Sequence, residues 1–234
     1  MNPTGIEYLT RAWNPVTGCE NWHNSICGGG GKDFQCWAKR ITERFPERYP
    51  RGFEPTFYLE RIGEPVFQKK PTRIGVAFMG DLFGDWVPRW WIDNILRIVH
   101  LCPQHTFVFL TKCPWNLIQY NPWPRNCWVG TTVVGDGPMT TALTNLACVD
   151  APIRFVSMEP LLGAITMRSH SMKGIVDWII LGAATNPSRP LRLEWVEEVE
   201  DAAKRAGVPI FEKNNLAKLL KRPLRQEYPY ESFD

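Results

Sequence analysis

Six short apolar runs recur along this chain, each returning through a helical or loop segment, and they constrain its fold more than anything else does. They are RIGVAFMG (73–80), HTFVFLTK (105–112), NCWVGTTV (126–133), IRFVSMEP (153–160), VDWIILGA (176–183) and VPIFEK (208–213). Each is nearly continuous in Val, Ile, Phe and Leu, as expected for strands buried on both faces. Between the first two runs, Trp91, Ile95, Ile98 and Val99 recur at helical spacing within 90–101. Further helices are expected at 114–120, 139–149, 193–207 and 215–222. The 193–207 segment has acidic residues early, Lys204 and Arg205 late, and Gly207 as its stop.

Strands alternating with helices predict parallel pairing through right-handed crossovers. A segment near residues 10–16 supplies a possible opening strand. The expected fold class is α/β, a complete or partial (β/α) barrel, with an open doubly wound sheet as the alternative. A chain of 234 residues suffices for one such domain spanning 1–234. It would carry a cysteine loop at about 17–40 and a basic C-terminal helix.

No apolar run approaches the roughly 20 residues needed to span a bilayer, and MNPTGIEYLTRAWNP lacks a signal-peptide pattern. A cytoplasmic location with reduced thiols is therefore expected. The formal charge of +3 permits a nucleic-acid partner without arguing for one. Two stretches suit such a partner, aromatic-rich 114–128 and basic 218–225. Trp residues as numerous as the 11 here more simply fill a core, and a basic run more simply forms a solvated helix face.

In parallel α/β folds chemistry collects where strands end, because those ends share one rim. The polar residues there are Asp81, Thr111 and Lys112, Thr131 and Thr132, Ser157 with Glu159, and Lys213 with Asn214. Asp81 and Glu159 follow buried strands directly and need partners. Lys112 is a candidate for an anionic group such as a phosphate.

The cysteine loop has the spacing C-x7-C-x8-C, at Cys19, Cys27 and Cys36. Three thiolates without a fourth ligand suit a [4Fe–4S] cluster with one open iron. With His23 they also make a Cys3His zinc staple. Gly28 to Gly31 let the backbone wrap closely, and equally suit a plain turn. Cys102, Cys113, Cys127 and Cys148 read as small buried apolar residues.

The blocks TRAWNPVTGC, CWAKR, VAFMGDLFGDWVP, HTFVFLTK, NCWVGTTV, RFVSMEPLLGAI, DWIILGA and RPLRLEWVEEVEDAAKRAGVPIFEK run from about Trp13 to Lys213. In that order they resemble the DUF5131 or phage Gp37/Gp68-like family. The three-cysteine motif and barrel of that family look like those of radical S-adenosylmethionine (SAM) enzymes, including the branch similar to spore photoproduct lyase. The resemblance implies that Cys19, Cys27 and Cys36 bind a [4Fe–4S] cluster, with Trp37-Ala38 at a Tyr-Ala position. The spacing here departs from the C-x6-C-x2-C of typical members. By the same resemblance Met79, Gly80 and Asp81 hold the methionyl amine of SAM, while Thr132 and Glu159 face its ribose or carboxylate. Glu159, Lys112 and Lys213 are the implied catalytic or substrate-binding residues. The implied partners are SAM, a reductant, a nucleotide or nucleic-acid base as substrate, and a possible partner protein. Two other functions fit the residues, a zinc-stapled nucleic-acid-binding module and a hydrolase using Asp81 and Glu159 as an acid–base pair.

Overall fold

The computed structural model describes residues 1–21, 27, 36–166, 172–185 and 188–229. Eight strands form the main sheet: β1 (Asn2–Pro3), β2 (Arg11–Trp13), β5 (Arg73–Val76), β6 (Thr106–Thr111), β7 (Cys127–Thr132), β8 (Ile153–Met158), β9 (Trp178–Leu181) and β10 (Ile210–Glu212). They lie side by side in that order. All neighbouring pairs from β2 to β10 are parallel, and β1 pairs antiparallel to β2. The opening strand near residue 10 is present, and β1 before it carries no alternating pattern that would announce it. A small antiparallel pair, β3 (Val16–Thr17) with β4 (Thr56–Phe57), closes the base of the cysteine loop. Within that loop lies α1 (Trp37–Arg44).

The connections include α2 (Arg89–Leu101), a 3-10 helix Pro114–Tyr120, α3 (Asp136–Leu146) and α4 (Leu193–Ala206). Sequential strand order with one crossover hand puts these segments on one side of the sheet. The opposite face is left to fill itself, and the sheet curls into a partial barrel. Strand alternation divides the core accordingly. Phe107, Phe109, Val129, Val156, Ile179 and Ile210 belong to one cluster, which includes helix residues such as Ile95 and Val199. Val108, Trp128, Phe155, Trp178, Ile180 and Phe211 form a second cluster on the concave face, with Tyr8 and Leu9.

Among the described residues the outermost strands do not pair with each other. Residues 4–9 fill the gap between them instead. Leu9 reaches toward β5, where a Cβ on Gly75 would meet it at 2.4 Å. Tyr8 packs edge-on to Trp178 and Phe211 at 5.7 and 5.8 Å. The outer edge of β10 is taken by the C-terminal segment. Glu212 N–H donates to the Arg225 carbonyl at 2.7 Å, and Glu227 N–H to that of Ile210 at 2.9 Å.

Several local expectations change. The first long strand stops at Val76 because Ala77 adopts φ 56°, turning the chain. The C-terminal helix shrinks to a 3-10 turn, Asn214–Leu216, and α5 (Ala217–Leu220), ended by Lys221 at φ 51°. Cys102 and Cys127 are buried as expected, whereas Cys148 is exposed just past α3. Trp123 and Trp128 are core residues, while Trp115 is exposed. No described helix is long and apolar enough to cross a membrane.

The basic run is engaged by carboxylates. Fully buried Glu212 accepts both terminal nitrogens of Arg222, at 3.0 and 2.9 Å, and the amide of Arg225 at 2.8 Å. Burial opposes the charge on Glu212, but these donors hold its carboxyl below the usual range. Glu200 shares Arg222 at 2.6 Å. Burial first, then the Glu212 carboxylate, pushes Glu200 up from 4.5 to about 7. Between those values the folded chain holds a proton that the unfolded chain has released, so stability declines as pH rises through that window. Thermal unfolding across about pH 4.5 to 7 is expected to show this decline, and Glu200→Gln to flatten it.

Candidate functional site

Side-chain alternation carries the concave face upward to the carboxyl ends of the strands. Val108 and Leu110 lead to Lys112, Trp128 and Gly130 to Thr132, Phe155 and Ser157 to Glu159, and Phe211 to Lys213. The lower half of that face is aromatic and the upper half polar. A Cβ on Gly130 would lie 2.6 Å from the Phe155 ring; glycine there lets the ring lie across the barrel interior. Above the aromatic layer opens a cavity of ≈ 530 Å³ whose wall includes Gly80, Asp81, Lys112, Thr132, Glu159 and Lys213. Trp37, 49 % exposed, stands at its lip. Its size falls in the range of small-molecule sites.

The cysteine loop is fixed beside this cavity by two close contacts. In the first, Gly18 N–H donates to the Met79 carbonyl at 3.0 Å, and Gly18 bridges Gly80. A Cβ on Gly80 would fall 2.3 Å from the Gly18 carbonyl oxygen, and one on Gly18, at φ +89°, 2.3 Å from that of Glu54. Only glycines permit the approach. In the second, buried Asp81 gathers four donors. Its Oδ1 accepts Thr111 Oγ1 at 2.6 Å and Phe83 N–H at 3.2 Å, and its Oδ2 accepts Lys112 N–H and Asn21 Nδ2, both at 2.8 Å. All acceptor positions of the carboxylate are thereby used. Asp81 lines the cavity, yet its charge is committed to the protein.

Met79 does not line the cavity. Its side chain packs with Ala38, Tyr49 and Tyr58, and Cys36 packs against the same group. Its N–H donates to Asn14 Oδ1 at 3.1 Å.

The three thiols stand around Lys112. Cys19 is raised strongly, by burial and then by Asp81, with Cys27 adding to the rise. Cys27 is raised by burial, with Cys36 and Asp81 contributing and Lys112 opposing. Burial lowers Lys112, but Cys27, Asp81, Cys19 and Cys36 outweigh it and raise its pKa. The donor set suits a cluster in kind, but Cys19, Cys27 and Cys36 are not drawn together closely enough in this structure to hold one. Among the described residues no three His, Cys, Asp or Glu side chains are grouped closely enough to hold a metal ion. His23 and Gly28 to Gly31 lie outside the described residues. Cys113, buried beside Asn21 at 3.8 Å, is pushed up to about 12 by burial and by Asp81.

Across the cavity Lys213 Nζ pairs with Glu159 Oε1 and, at 3.2 Å, with Glu7 Oε2. Burial would lower Lys213, and the two carboxylates overcome it and hold the ammonium charged. Glu7 Oε1 also accepts Asn214 N–H at 3.1 Å. Ser157 Oγ is buried on the same wall without a hydrogen-bond partner among the described residues.

The structure thus gathers Gly80, Asp81, Lys112, Thr132, Glu159 and Lys213 around one cavity, with the three cysteines on the Lys112 side and Met79 outside the lining. Sequence reasoning missed Glu7, Tyr8 and Asn21. Glu7 and Tyr8 sit in a segment without periodicity, and Asn21 is one polar residue in a polar loop.

The family model described as a protein of unknown function, DUF5131, matches residues 3–219. The chain belongs to that family. No curated protein matches it. Among solved structures, spore photoproduct lyase complexed with dinucleoside spore photoproduct is similar with a TM-score of 0.52 and 9% identity. That match covers 91% of this chain and 79% of the other. A cysteine-to-alanine mutant of the same lyase, with the same dinucleoside, matches at 0.51 and 11% identity, with the same coverage. At such identity the likeness is one of fold.

Asp81→Asn would turn an amide N–H₂ toward the donors it now satisfies. A loss of about 3 kcal/mol is expected, measurable by denaturant unfolding. Faster labelling of Cys19 by a thiol reagent is expected too, as the loop loses its Asn21 tether.

Proposed function

We propose that this DUF5131 chain is a radical SAM-type enzyme acting on a nucleotide or nucleic-acid base. The observation that carries the reading is the three-thiol loop anchored at the carboxyl rim of a partial barrel, beside a cavity of ligand size. The fold shared with spore photoproduct lyase supports it, and the dinucleoside bound to that enzyme supports the substrate class.

Cys19, Cys27 and Cys36 would hold the [4Fe–4S] cluster. Bound there and reduced by an external donor, such a cluster would supply one-electron chemistry, the reductive cleavage of SAM with release of methionine to start hydrogen abstraction. The remaining work is binding, orientation and exclusion of water.

Gly80, whose missing side chain admits the Gly18 carbonyl, presents backbone to the cavity beside the thiols. Thr132 and Ser157 offer hydroxyls to ribose or carboxylate oxygens. Glu159 spends Oε1 on Lys213 and keeps Oε2 for a ligand N–H or O–H. Lys213, bracketed by Glu159 and Glu7, orients Glu159 instead of carrying a proton to substrate. Asp81 acts on the loop, through Asn21, and not on the cofactor amine. Its saturation also removes one partner from the acid–base pair of a hydrolase.

Anaerobic reconstitution with iron and sulfide tests the reading. About four irons per chain, a brown colour and release of 5′-deoxyadenosine after reduction are expected. Alanine at Cys19, Cys27 or Cys36 is expected to reduce iron content and bring SAM cleavage to background. A colourless zinc protein that leaves SAM intact would overturn the reading. Glu159→Gln is expected to keep the cluster spectrum while weakening SAM binding about tenfold, measured by titration calorimetry.

A further inference from the structure

Among the described residues, five charged side chains line the cavity: Asp81, Lys112, Glu159, Arg189 and Lys213. Four of them are accounted for. Asp81 is saturated by four donors. Lys112 faces the thiols and Asp81, and Lys213 pairs with Glu159 and Glu7. Arg189 is left over, half-buried on the wall with no hydrogen bond or ion pair among the described residues.

Its backbone is held in place. The segment leaving β9 begins at Ala183, whose N–H donates to Asn215 Oδ1 at 3.0 Å and whose carbonyl accepts Asn215 Nδ2 at 2.9 Å. Ser188, immediately before Arg189, bridges antiparallel to Thr185. The guanidinium is therefore presented from the β9 end of the rim. The thiol loop is anchored to β5 and β6, and from β5 to β9 is four strand intervals, roughly 19 Å along the sheet.

We infer that Arg189 recognises a phosphate of the substrate's nucleic-acid backbone, so that this end of the cavity receives a nucleotide unit and not a bare base. The inference rests on the proposed function for the substrate class. A guanidinium offers a planar fork that matches two phosphate oxygens, and it stays charged at every physiological pH. The neighbouring charges decide between a nucleotide and a free anion. Glu159 and Glu7 carry two negative charges against the single positive charge of Lys213, so Arg189 brings that wall only to neutrality. A free phosphate finds no excess positive field there. A phosphate delivered on a sugar and base is held by the rest of the ligand and gains the Arg189 fork.

The test is equilibrium binding to the full chain of a single-stranded tetradeoxynucleotide of mixed sequence and of its uncharged methylphosphonate analogue, with SAM titrated in parallel. The wild-type chain is expected to prefer the charged form about tenfold or more. Arg189→Gln is expected to remove most of that preference with SAM affinity unchanged, and Arg189→Lys to restore part of it. Equal affinity for the two oligonucleotides in the wild type, or an unchanged preference in Arg189→Gln, overturns the inference. So does a parallel loss of SAM affinity, which would assign Arg189 to the cofactor, and so does equally effective competition by inorganic phosphate. An Arg189-dependent preference in a chain that neither binds iron nor cleaves SAM would keep the inference and overturn the enzymatic reading. SAM cleavage without that preference would do the reverse.

Discussion

A single buried carboxylate organises one end of this molecule. Asp81 takes hydrogen bonds from the cysteine loop, from its own turn after β5 and from the end of β6. An unpaired charge at that depth is untenable; four donors make it a joint among three chain segments. The Gly18–Gly80 contact works beside it, bringing two backbones closer than side chains allow. Together they fix where the loop leaves the barrel, and hence where its thiols can stand relative to the cavity.

The rest of the site follows from counting by twos along the strands. Because the connections fall on one side, every second strand residue faces inward, and the inward set changes from aromatic to polar as the strands rise. The ring layer of Trp128, Phe155, Trp178 and Phe211 is therefore a floor, and Lys112, Thr132, Glu159 and Lys213 stand above it. Charge within the cavity is partitioned along the sheet. Lys112 serves the thiols, Lys213 serves two carboxylates, and Arg189 alone has no partner among the described residues.

Much of this was legible before any coordinates. Continuous apolar runs marked the parallel strands, and the polar residues closing them marked the cavity wall, because burial on both faces leaves strand ends as the main outlet for polar side chains. The sequence did not reveal what those residues do there. Nothing about Asp81 as a residue type says that its donors would come from Asn21, 60 positions earlier, and from Thr111, 30 later. Nor does Ala77 announce the left-handed turn that ends β5. The basic tail misled for a related reason. Arginines followed by a proline look solvated in a string of letters, whereas Glu212, buried within a strand, recruits Arg222.

The packing of residues 4–9 between the two ends of the sheet bears on how this barrel can deform. A fully hydrogen-bonded hoop resists any change of girth, because widening it means breaking a ladder. Here the last side of the hoop is a wedge of side chains, with Tyr8 lodged among rings and Glu7 tied to Lys213. Expansion on that side costs one ion pair, one hydrogen bond to Glu7 and some ring contact, and spares the strand ladders. The side of the barrel held by side chains alone is thus the wedge that also steadies Glu159.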